Sequence, residues 1–61
     1  MRIVIIGASS FGLAIAEELI ETDREVVLID KSRELLEQAA ERIDCGMIEG
    51  DGSNPDVLRE A

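Results

Sequence analysis

The sequence predicts an α/β chain built on a small parallel sheet, with elements in the order β-α-β-α-β-α. Three observations carry that reading. Two apolar, β-branched runs, Ile3-Val4-Ile5-Ile6 and Val26-Val27-Leu28-Ile29, show no polar alternation, as suits strands covered on both faces. Each run stops at a turn and gives way to apolar residues at helical spacing. Glycines at positions 7 and 12 bracket the passage from the first strand into the first helix.

In order, the first strand is Arg2–Ile6 and its loop is Gly7–Ser10. Ser9 or Ser10 is placed to cap the helix that follows, Phe11 to about Glu21. Leu13, Ala16, Leu19 and Ile20 make its apolar face, and Glu17, Glu18 and Glu21 its polar one. Gly12 and Ala16 are small, so the helix can lie close on the sheet. A polar turn, Thr22–Glu25, leads to a second strand, Val26–Ile29, that ends at Asp30. The second helix is expected over Ser32–Ile43. Leu35, Leu36, Ala39, Ala40 and Ile43 face inward, and Glu37 and Glu41 are expected to pair with Arg33 and with each other's neighbours at helical spacing. A short third strand is expected at Gly46–Glu49, with Cys45 as a small apolar side chain rather than a reactive thiol. After the turn Gly50-Asp51-Gly52, Ser53 or Asn54 caps a last helix with Pro55 in its first turn and Val57 and Leu58 packed inward.

A strand that ends in a glycine turn and opens a helix leaves backbone N–H groups unpaired where the helix dipole favours an anion. A dinucleotide pyrophosphate is the usual occupant. The full G-x-G-x-x-G pattern would place glycine at 7, 9 and 12, and position 9 is Ser9. Its side chain either obstructs a phosphate or donates a hydroxyl to it. Asp30 lies 18 residues beyond Gly12, at the tip of the second strand, where an acid accepts hydrogen bonds from ribose hydroxyls. The same carboxylate repels a 2′-phosphate, which favours NAD-type or simple adenosine ligands over NADP. The alternative role for Asp30 is to cap the next helix.

Composition narrows the classes further. The 61 residues suffice for at most one small domain. With 6 basic and 14 acidic residues the net charge is −8, which disfavours nucleic acid and anionic membrane surfaces. One cysteine and no histidine argue against a disulfide or a transition-metal site. No apolar stretch reaches the ~20 residues of a membrane span, and no secretory signal is evident, so a cytoplasmic setting is expected. No His, Tyr or suitably placed Cys is present to act as acid or base over a nicotinamide, so no catalytic residue is assigned.

Right-handed crossovers give a sheet ordered 3-2-1. In a complete doubly wound sheet the first strand is interior; here it is left as an open edge that invites pairing. The expectation is therefore a single truncated half-domain over 1–61 that self-associates through that edge.

The chain resembles the N-terminal nucleotide-binding segment of the TrkA family of potassium uptake regulators, a fold shared with the RCK (KTN) domains of potassium channels. The resembling blocks are Met1–Gly12, Val26–Lys31 (Val-Val-Leu-Ile-Asp-Lys) and Ile48–Ala61, with its Gly-Asp-Gly-Ser-Asn-Pro turn and the Val-Leu that follows. The resemblance covers nearly the whole chain and the first half of the family's domain. It implies a partial Rossmann-like fold that binds NAD(H), or ADP or ATP, and relays that state to a potassium-transporter membrane subunit. The protein would then be a regulator rather than an enzyme, peripheral to the inner face of the membrane. By the resemblance, Gly7, Ala8, Ser10, Phe11 and Gly12 form the phosphate loop, with Ser9 in place of the family's glycine. Asp30 is the ribose-binding acid with Lys31 beside it, and Asp51 lies next to the adenine. The readings of another class are the leading piece of an NAD-dependent oxidoreductase and an inert fragment that binds nothing.

Overall fold

A computed structural model describes residues 2–61 of the chain. Its elements are β1 (Arg2–Ile6), α1 (Ser10–Glu21), β2 (Glu25–Asp30), α2 (Arg33–Ala40), β3 (Gly46–Glu49) and α3 (Pro55–Glu60). The three strands are parallel, with β2 between β1 and β3, as expected. This is a Rossmann-like β-α-β-α-β-α arrangement around an open sheet. β2 is longer at both ends than its apolar run, because Glu25 pairs in register with Arg2 and Asp30 with Glu49.

Position in the sheet, more than hydrophobicity, decides burial. Leu28 and Ile29 of the central strand are fully buried, one on each face. On the first face Val26 and Leu28 join Leu13 and Ala16 of α1 and Leu36 and Ala39 of α2 in one cluster, so both helices cover the same side. Ile5 and Met47, in register with Leu28, pack against that cluster. On the second face the chain after β3 turns back beneath β1. A Cβ at Gly52 would come within 2.4 Å of Ile6 Cγ2, at the end of β1. The Ala61 carbonyl accepts from Arg2 Nη1, at its start. α3 therefore runs antiparallel to β1, and its cover is thin: Leu58, expected inward, is 41% exposed, and Ile6 is 60% exposed.

Local signals explain the helix ends. The Ser32 hydroxyl caps α2 by accepting from Leu35 N at 3.2 Å, and Asn54 Oδ1 caps α3 by accepting from Asp56 N at 2.9 Å. Ser9 occupies the N-cap position of α1 but makes no side-chain cap bond. α2 stops at Ala40, short of the expected Ile43. There Glu41 N and Arg42 N donate to Gln38 O and Ala39 O, tightening the last turn, while Ile43 still packs against the core. Ala40 is exposed rather than inward. Charges pair between elements instead of along α2: Arg33 reaches Glu49 at 3.2 Å, and Arg42 reaches Glu17 of α1 at 2.9 Å. Such exposed pairs are worth little individually. Cys45 is half-buried against the core, and desolvation by that burial pushes its thiol pKa up.

Candidate functional site

The three strand tips converge because the strands are parallel and nearly in register. At the first tip Gly7 turns the chain with φ 110°, a left-handed backbone that side chains resist. Gly7 N donates to Ile29 O at 2.7 Å, so the turn is laid directly on β2. Gly12 comes next to this turn in space: a Cβ added to it would lie 2.0 Å from Gly7 O. Gly12 is thus required for the close seating of α1 against its own loop, whatever ligand binds there. Ser9 adopts φ −71° and ψ −179°, an extended geometry open to any residue, so glycine's conformational freedom is not needed at that position.

The second tip is Asp30. Its Oδ2 accepts from Ala8 N at 2.8 Å, and its Oδ1 accepts from Ser32 N at 2.7 Å. These two backbone donors hold the carboxyl below the usual aspartate pKa, the Ala8 bond more strongly. The carboxylate thus fastens the start of α2, as the capping alternative expects, and also holds the glycine loop. Its carbonyl accepts from Gly50 N at 2.9 Å, which draws in the third tip. Beyond Gly50, Asp51 Oδ1 accepts from Ser53 Oγ at 2.7 Å and from Ser53 N at 2.8 Å. Those bonds, the hydroxyl's first, lower its pKa. Lys31 Nζ stands 3.8 Å from Asp51 Oδ2 across the gap between the second and third tips.

These residues enclose a hollow of about 370 Å³, lined by Ile6, Gly7, Ile29, Asp30, Lys31 and the turn 50–53. That is within the range of small-molecule sites. Gly7, Asp30, Lys31 and Asp51, all expected at the site, line it together. Ala8, Ser9 and Ser10 instead line a neighbouring groove of about 300 Å³ between α1 and α2, on the other side of the loop. Gly12 is buried beneath Gly7, and Phe11 is 77% exposed on the first turn of α1. Gly50, Gly52 and Ser53 were not assigned from sequence. The signal that marks them is the glycine pair in the turn after β3, at the sheet edge where ligands gather. Among the described residues no cluster of His, Cys, Asp or Glu is arranged to hold a metal ion, and no helix is long and apolar enough to cross a membrane.

A parallel sheet whose strand tips carry a glycine turn, an acid and a second glycine turn around one hollow defines a Rossmann-like domain. The particular family follows from comparison with known proteins: residues 3–61 match the TrkA-N domain, and the chain belongs to that family. It is similar to the Trk system potassium uptake protein TrkA of Haemophilus influenzae, at 36% identity over 61 residues. The proteins of that name from Vibrio alginolyticus and Azorhizobium caulinodans are 33% and 38% identical. Each match covers 100% of this chain and 13% of the relative, so the chain spans about an eighth of the length of these proteins.

Proposed function

We propose that this chain is the nucleotide-sensing part of a cytosolic regulator of potassium uptake, binding NAD(H) or an adenine nucleotide and working with a transporter's membrane subunit. In this reading it is not an enzyme. The observation that carries it is the 2.8 Å bond from Ala8 N to Asp30 Oδ2, which sets the glycine turn and the ribose-type acid side by side over one hollow. The residues present suit such a ligand. Gly7 keeps the turn tight, the first-turn N–H groups of α1 receive no cap from the Ser9 side chain, and Asp30 and Asp51 offer carboxylate oxygens at the adenosine end. The potassium role is supported by the names of the relatives. The same reading has the chain self-associate through the unpaired edge of β1.

Isothermal titration with NADH, NAD, ADP and ATP tests the nucleotide assignment. Saturable binding by at least one of them, weakened at least tenfold in Asp30→Ala, is the expected result. No heat at millimolar ligand would overturn the reading in favour of an inert fragment, and turnover of NADH with a carbonyl substrate would overturn it in favour of an enzyme.

A further inference from the structure

Asp30, the acid assigned to hold a sugar, is already bonded to backbone through its side chain and its carbonyl. One carboxylate oxygen accepts from Ala8 N at 2.8 Å and the other from Ser32 N at 2.7 Å, while the residue's own carbonyl accepts from Gly50 N at 2.9 Å. A single residue thus ties together the loops that follow β1, β2 and β3. A carboxylate pair offers about four lone-pair sites, and two of these are spent on backbone. Ala8 is 4% exposed, so without Asp30 its N–H would be a buried donor lacking a partner. A backbone bond from Gly7 N to Ile29 O also holds this turn to β2.

We propose that Asp30 is a positioning residue for the glycine turn: by fastening Ala8 it sets the 7–10 loop for a phosphate, and so governs binding of ligands that have no ribose. The inference rests on the nucleotide reading above and goes beyond it, because an acid that only held the sugar would repel an inorganic anion, and its neutralisation would leave anion binding unchanged or strengthen it. A carboxylate is suited to the task where an amide is not. It accepts from two backbone donors approaching opposite oxygens, whereas asparagine presents one oxygen and one NH₂ group to them. The two N–H donors also offset the negative charge that would otherwise stand beside the anion.

The test compares inorganic pyrophosphate with ADP, in wild-type chain and in Asp30→Asn. If Asp30 positions the turn, Asp30→Asn weakens both ligands at least tenfold, and exchange of the Ala8 amide in the ligand-free chain accelerates at least tenfold. Loss of ADP binding with pyrophosphate affinity unchanged or increased would overturn the inference, since Asp30 would then act on the sugar alone and only repel the anion. Unaltered Ala8 exchange in a folded variant would overturn it too. If wild type binds neither ligand, the nucleotide reading fails and the anion part of this inference falls with it; Ala8 exchange still decides whether the turn is held by Asp30. Should Asp30→Asn not fold, acid titration of the wild-type chain followed by NMR takes its place. The Ala8 and Ser32 amide protons are expected to move together with one midpoint, that of the carboxylate they share; Lys31 and Asp51 are the other charged groups lining that hollow. Separate midpoints, or no movement at Ala8, would refute the shared clamp.

Discussion

Replacing Gly12 by alanine sets two opposed effects against each other, and the structure says which wins. In a helix interior the change should stabilise by about 1 kcal/mol, because alanine loses less backbone entropy than glycine. The new Cβ would lie 2.0 Å from Gly7 O and 3.0 Å from Gly7 C, against a limit near 3.0 Å for real contacts. Loop and helix must therefore part by about 1 Å. The obstacle is backbone, and it is tied to β2 through Gly7 N and through Asp30, so it cannot swing aside as a side-chain end would. Forcing extra atoms into a packed site costs roughly 1–3 kcal/mol, occasionally more. With a rigid neighbour the upper end applies, and the net loss should be about 1–2 kcal/mol. A chain of this size has on the order of 3–9 kcal/mol in all, so the loss is easily measured. With no tryptophan or tyrosine present, urea unfolding is best followed by far-ultraviolet circular dichroism. Ala14→Gly, at an exposed position of the same helix, is the control and should lose about 1 kcal/mol by propensity alone. A Gly12→Ala protein as stable as wild type, or more stable, would refute the close seating of α1 on its loop.

Three further outcomes follow from the same geometry. Ser32→Ala should destabilise by about 1 kcal/mol because Ser32 caps α2, whereas Ser9→Ala, which removes no cap bond, should change stability by less than about 0.5 kcal/mol; equal losses in denaturant titrations would contradict the two cap geometries. Asp30 has a lower pKa folded than unfolded, so the unfolded state binds the proton first; its contribution is complete above the ordinary aspartate range and is lost as pH falls through the folded value. The gap in melting temperature between wild type and Asp30→Asn should therefore be constant from about pH 7 to 5 and close below about pH 4; a gap that widens on acidification would reverse the sign. Finally, β1 at the sheet edge carries exposed Val4 and Ile6, and sedimentation should show dimers or larger species that Ile6→Lys reduces to monomer; a wild-type monomer at all concentrations would dismiss pairing through that edge.

Much of this architecture can be read from local order along the chain. Unalternated β-branched runs, helical spacing of small and apolar residues, and the residues Ser32, Asn54 and Pro55 at helix starts act over a few positions. Their consequences therefore appear in the linear sequence, including the parallel β-α-β-α-β-α order and the acid at the second tip. What tertiary structure alone decided depends on distances between segments remote in sequence. Arg33 of α2 and Arg42, just beyond it, find partners on β3 and α1, elements that only the packing of the chain brings beside them. Leu58 stays exposed, though apolar, because little of α3 is covered on its outer side. The glycine loop divides its residues between two hollows, since Gly7 faces the strand tips while Ala8, Ser9 and Ser10 face the gap between the helices. Asp30 could be placed at a strand tip by spacing, but that its two oxygens fasten two loops is set by the angle at which those loops return to the sheet.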